Sequence, residues 1–223
     1  MSQQEGVVKF QLEFKPAPPL PFDTLAELDA WRRIMVLLEL IGQSPDRYGG
    51  YGYGNISQRI PPFDLPPAQP RFVITGTQTG GLPHLSAGHY VTVLECYPEE
   101  NRVVAEGPIR PSAESLTHWM VYTQDPQARW VMHAHSPHIW RHAAALNLPV
   151  TRPDVPYGTP EMAAEVGRLF AETDVQARGI FSMGGHEDGI IAFGPTAAAA
   201  GMVLVTTLAQ AMALDARQNR SQA

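Results

Sequence analysis

The stretch "RWVMHAHSPHIWRHAAA", residues 129–145, holds four of the chain's eight histidines. Its first half reads as a strand. Strand side chains alternate with period two, so His133 and His135 share one face while Met132 and Ala134 share the other. Two imidazoles on one face are how a strand offers a pair of metal ligands. They are also how a strand lines a polar face, and the pair taken alone favours that plainer reading.

Working outward, "PSAESLTHWMVYTQ" (111–124) reads as a helix with Ser112 at or near its cap. Downstream, "TPEMAAEVGRLFAET" (159–173) is a helix with Thr159 as cap and Pro160 at the first helical position. "GIFSMGGHEDGIIAFG" (179–194) gives two strands around a Gly-rich turn, and a last helix runs from about Thr196 to Gln218. Toward the N-terminus, "TLAELDAWRRIMVLLELIG" (24–42) has helical spacing, a capping box of Thr24 and Glu27, and a stop at Gly42. "RFVIT" reads as a strand, and "YVTVLECY" and "NRVVAEG" pair as a hairpin through "PEEN". "VVKFQLEF" alternates like an edge strand before the proline-broken "KPAPPLPFD", so residues 1–22 form an arm or linker and 23–223 one domain. Helices and strands are interspersed and hairpins are frequent. That pattern gives the α/β class, with a mixed, largely antiparallel sheet and helices packed on both faces.

Composition narrows the function. With 223 residues, 44% of them hydrophobic, the chain fits one large domain, since single domains run to about 250 residues. A net charge of -6 without a basic run gives nucleic acid no electrostatic footprint. Cys96 is the only cysteine, which excludes an intramolecular disulfide and suits a reducing compartment; it reads as a packed strand residue. No apolar run approaches the roughly 20 residues of a membrane span, and the start lacks the pattern of a signal peptide. The expected location is cytoplasmic, away from membranes.

His186 lies in the turn of the last hairpin, where Gly184, Gly185 and Gly189 free the backbone to aim it. Two strand histidines and one turn histidine would make a three-His site with an open fourth position, the arrangement of a catalytic metal. Glu114 falls in the first turn of the helix after "RPSAES", a place that favours a carboxylate whether or not it is catalytic. His118 is one helical turn beyond it, and His138 and His142 share a helix face and read as structural or contact residues. The tyrosines of "RYGGYGYG" (47–54) fit a binding loop and a surface turn equally well.

"GNISQR", "FVITGT", "GPIRPSAESLTH", "VMHAHSPH", "PYGTPEMA" and "GGHEDGIIAFG" follow one another between Gly54 and Gly194. In this order they resemble the class II aldolase/adducin family, which includes fuculose-phosphate aldolase and ribulose-phosphate 4-epimerase. The resemblance implies a three-layer α/β/α sandwich and a homo-oligomer, commonly a tetramer. It assigns His133, His135 and His186 as ligands of a divalent metal, zinc being favoured, and Glu114 as the acid/base. It also implies a phosphate pocket formed by Asn55, Ser57, Thr75, Thr77 and Ser112. Here the chain departs from the family pattern: in "TGTQTGG" the usual glycine is either replaced by Gln78 or displaced to Gly80, and Ala113 replaces a serine. Both changes remove donors that a dianion needs and tilt the substrate toward a non-phosphorylated or carboxylate compound.

The implied function is a metal-dependent lyase of the aldolase type. It would make or break a carbon–carbon bond in a small hydroxy-carbonyl compound, through a metal-stabilised enediolate. Epimerase, dehydratase and decarboxylase chemistry use the same stabilisation, and a non-catalytic adducin-like module would be marked by lost ligands.

Overall fold

The structure is a computed structural model that describes residues 7–64 and 69–221, so residues 65–68 of the proline-rich loop lie outside it. In chain order the elements are β1 (Gln11–Pro16), α1 (Ala26–Leu37), β2 (Gly42–Gln43), β3 (Gly52–Tyr53), β4 (Asn55–Arg59), β5 (Phe72–Thr75), β6 (Tyr90–Tyr97) and β7 (Arg102–Gly107). They are followed by α2 (Ser115–Gln124), β8 (Trp130–His135), α3 (Pro137–Arg141), α4 (Pro160–Glu172), α5 (Val175–Arg178), β9 (Ile180–Ser182), β10 (Gly189–Gly194) and α6 (Ala197–Ser221).

Eight strands form one sheet in the order β1-β7-β6-β5-β4-β8-β10-β9. Only β1 with β7 is parallel; the other pairs are antiparallel. The mixed, largely antiparallel sheet expected from the sequence is therefore present, and β1 closes one edge of it. β8 lies between β4 and β10, and all six of its residues are buried.

Two apolar layers cover the faces. Val131 joins Leu116, Tyr122, Met162 and Val166 under α2 and α4, while Met132 and Ala134 join Leu28, Met35, Ile139, Ala200 and Leu204 under α1, α3 and α6. Alternation along β8 thus splits its side chains between the layers. Burying each Val, Leu, Ile or Met contributes about 1.5–3 kcal/mol relative to exposure. Cys96 packs in β6 as expected, and burial pushes its thiol pKa well up.

Three local expectations are corrected. Thr24 does not cap α1: its hydroxyl donates to Pro21 O at 2.6 Å, and a short 3-10 turn precedes the helix. α1 also ends before Gly42. Glu39 takes left-handed backbone (φ 58), while Glu39 and Leu40 amides return to the Val36 and Met35 carbonyls. This is a Schellman cap with glutamate where glycine is usual. Third, Glu114 occupies the N-cap position of α2 and not its first turn, with Ser112 close by, its hydroxyl oxygen accepting the Glu114 amide at 3.3 Å.

The expectation that no segment is long and apolar enough to span a membrane also changes. By length and composition, Ala197–Arg220 is long and apolar enough to cross one. In the fold this helix packs Ala197, Ala200, Leu204 and Ala211 into the core. Its alanine content raises the hydropathy of a helix that covers a sheet.

Candidate metal centre

His133 and His135 rise from the α2-facing side of β8, in register with Ile191 and Gly189 of β10. The turn before β10 brings His186 to the same point. Its Nε2 lies 2.9 Å from His135 Nε2, which lies 3.1 Å from His133 Nε2. All three rings are buried, at 0%, 1% and 3% exposure for His133, His135 and His186. The ligand atoms lie within 4.8 Å of one another. The glycines before His186 serve close approach rather than left-handed backbone, since a Cβ on Gly185 would sit 2.0 Å from Val155 O. In this turn the left-handed residue is Asp188 (φ 62).

The donor set fits a divalent cation. His133 Nδ1 lies 3.3 Å from Ile190 O, a contact that assigns the ring proton to Nδ1 and turns the Nε2 lone pair toward the cluster. Two bare imidazole nitrogens cannot share a 3 Å contact without a proton or cation between them. Nitrogens around tetrahedral zinc, at about 2.0–2.1 Å from the metal, stand about 3.3 Å apart. The observed separations are close to that spacing.

Glu114, 2% exposed, is the nearest carboxylate, with Oε1 3.6 Å from His186 Nδ1. Thr117 donates to its Oε2 at 2.7 Å and so fixes the carboxylate plane. The Gly/Tyr-rich loop, with Asp188, closes the other side. Tyr48 stacks edge-on against His135 at 4.6 Å, donates to Asp188 Oδ2 at 2.5 Å, and accepts from Arg47 at 2.6 Å. Burial, and then the bond to Asp188, push the Tyr48 phenol well above its ordinary pKa, so it stays protonated. The Gly/Tyr-rich loop is thereby placed over the histidines.

Tyr157 packs 4.4 Å from His186, and Lys9 sits over the Tyr157 ring at 3.5 Å. Lys9 comes from the N-terminal arm, and its partner is far along the chain. Only the fold, not local pattern, brings them together.

The expected anion-binding residues divide. Asn55, Thr77 and Ser112 line a small cavity together with Gln78, Thr79, Ala113, Glu114 and Tyr157. Ser57 and Thr75 do not line it. Ser57 Oγ is fully buried, 2.7 Å from His118 Nδ1 and 2.8 Å from Tyr122 Oη, and Thr75 Oγ1 accepts the Ile56 amide at 3.4 Å. Position along the strand explains it: Ser57 shares Asn55's face of β4 but lies two residues farther on, where α2 covers the strand. His118 is therefore a core residue, its pKa pulled down to about 3 by burial. His138 and His142 both hold Asp215 of α6, a structural role.

A second cavity of about 390 Å³, lined by Gln43, Ser44, Arg47 and Tyr53, adjoins the centre through Tyr53, whose ring is 5.4 Å from His135. A larger one of about 630 Å³, beside Cys96 and Trp119, is lined by none of the cluster residues.

The model of the Class II Aldolase and Adducin N-terminal domain matches residues 46–213. The chain belongs to that family. L-fuculose-1-phosphate aldolase from Thermus thermophilus superposes with a TM-score of 0.65 at 19% identity, covering 91% of this chain and 98% of that one. A sugar-phosphate aldolase from Thermotoga maritima gives 0.63 at 15% identity, covering 86% and 94%. An aldolase II superfamily protein from Pseudomonas syringae gives 0.62 at 13%, covering 90% and 77%. At these identities the likeness shows a shared class II aldolase fold. No curated protein matches the chain in sequence.

Proposed function

We propose that the chain is a metal-dependent lyase of the aldolase type, acting on a small hydroxy-carbonyl compound. The observation that carries this reading is the convergence of three buried Nε2 atoms with a buried carboxylate beside them. His133, His135 and His186 would hold the cation, with zinc favoured by three imidazoles. A cation there supplies Lewis-acid polarisation of a carbonyl oxygen.

The chain's own residues do the rest. Glu114, held by Thr117, accepts or returns the proton at the carbon next to that carbonyl. Tyr48 and Tyr157 cover the histidines and keep water from the reacting carbon. Gln43, Ser44 and Arg47 offer polar groups to the remainder of the substrate in the larger adjoining cavity. Epimerisation, dehydration and decarboxylation would draw on the same groups, and the product distinguishes them.

The proposal extends to assembly and location. Leu37, Met202 and Met212 leave apolar surface exposed on α1 and α6, at 81%, 56% and 52%, which supports a homo-oligomer, a tetramer by family resemblance. One buried free cysteine suits the cytoplasm. We take 23–223 as the catalytic domain, with 1–22 as an arm that lends it Lys9.

Glu114→Gln tests the assignment. Activity on hydroxyketones or hydroxyacids should fall about 100-fold or more while metal content stays at the unmodified level. A fully active variant would place the proton transfer elsewhere.

A further inference from the structure

Between the β6–β7 hairpin, the middle of α2 and the start of α4 lies the cavity of about 630 Å³, a volume typical of small-molecule sites. The sequence "ECYPEENR" (95–102) builds its rim. Pro98 opens a 3-10 turn over Pro98–Glu100, and Asn101 leaves that turn in left-handed backbone at φ 47. The turn sets Glu99 and Glu100 at the cavity together with Glu95, while Cys96, Trp119, Met120 and Ala163 give it apolar walls.

The charge there is one-sided. Three glutamates are among the lining residues, and no Lys, Arg or His is. Glu95 accepts the Tyr97 hydroxyl at 2.5 Å, and Glu100 accepts Arg102 at 2.8 Å. Arg102, the cation that follows the turn, also holds Glu13 and lies over the Tyr97 ring. The Glu99 carboxylate has neither hydrogen bond nor ion pair among the described residues. A second lining group is unpartnered as well. Trp119 is 6% exposed, and its buried indole N–H has no hydrogen-bond partner among the described residues, although a buried tryptophan usually finds an acceptor for that donor.

We propose that this cavity binds a small organic cation with an apolar body, at a site separate from the three histidines. Its ammonium end pairs with Glu99 and the neighbouring carboxylates, and its body lies against Trp119 and Met120. An ammonium is drawn to carboxylates and is at ease beside aromatic rings, whereas a carboxylate or phosphoryl group would meet three like charges. The walls belong to elements that also shape the metal centre: α2 starts from Glu114, and Pro160 opens α4 just after Tyr157, which packs on His186.

The test uses the whole chain labelled with 5-fluorotryptophan. Its four tryptophans give four fluorine signals, and Trp119→Phe identifies the one that reports on the cavity. Titration with 2-phenylethylamine should move the Trp119 signal to saturation. 3-Phenylpropionate, of similar size and opposite charge, should bind about tenfold more weakly or worse. Glu99→Gln should weaken binding of the amine by about threefold, the effect of losing an exposed ion pair. Ala164→Leu, at an exposed position on the cavity wall, should abolish the shift by filling the space.

A Trp119 signal unmoved by the amine up to about 10 mM would overturn the proposal. So would equal affinity for the amine and the acid, or an unchanged affinity for the amine in either variant when that variant retains its circular dichroism. A signal that moves with protein concentration and ignores the amine would show that a second copy covers the cavity, and would overturn it too. Every readout is binding at Trp119, so each outcome holds whichever reaction the metal centre catalyses.

Discussion

At the histidine end of the site, three nitrogens from β8 and the turn before β10 converge with their lone pairs toward one point. At the Gln78 end, a few residues away, amides and hydroxyls are turned back onto the chain's own carbonyls and amide oxygen. One end turns three imidazole nitrogens onto one point; the other turns several of its donors back onto the chain. The contrast teaches that the family's fold fixes the histidine end more tightly than the loop end. Strand register holds the first, and loop conformation sets the second.

The largest test of that contrast concerns His118, which lies in the core against Ser57 of β4. Burial holds its folded pKa at about 3, below the ordinary 6.5. The unfolded chain therefore takes up a proton that the folded chain refuses as pH falls below about 6.5. Stability from this group is complete above pH 6.5 and is lost toward pH 3, at up to about 1.4 kcal/mol per pH unit. His118→Asn should flatten that acid limb in urea titrations between pH 6.5 and 4. An identical acid limb in the variant would show that His118 is not a buried neutral group.

A smaller effect is expected at Ser57. Were it an anion ligand, its loss would raise KM. Locked between His118 and Tyr122, Ser57→Ala should instead cost about 1–3 kcal/mol in stability and leave KM for the best substrate unchanged. A raised KM at unchanged stability would move Ser57 back to the binding surface and blur the distinction between the two ends.

How much of this was legible in the sequence follows the same divide. His133 and His135 were readable because strand period fixes their common face, and Thr159 and Pro160 because they cap α4 locally. Ser57 was misplaced for a physical reason: it shares Asn55's face of β4, but two residues farther along that face is covered by His118 and Tyr122 of α2. Thr24 failed as a cap because it lies inside the 3-10 turn Phe22–Thr24, which moves the start of α1 past it to Leu25. Tyr48, Asp188, Tyr157 and Lys9 were out of reach, since their contacts join segments up to 148 residues apart. The left-handed residues Glu39, Tyr48, Gln78 and Asp188 carry no glycine signal at all.

The most direct measurement is the metal content of purified protein after zinc loading, by elemental analysis, for the unmodified chain, His135→Ala and His138→Ala. The account expects about one zinc per chain in the unmodified protein and in His138→Ala, whose imidazole holds Asp215 instead. His135→Ala, losing the nitrogen that touches both other ligands, should retain less than about a tenth of that zinc. Equal zinc in all three proteins, or none in any of them, would contradict a metal centre at His133, His135 and His186.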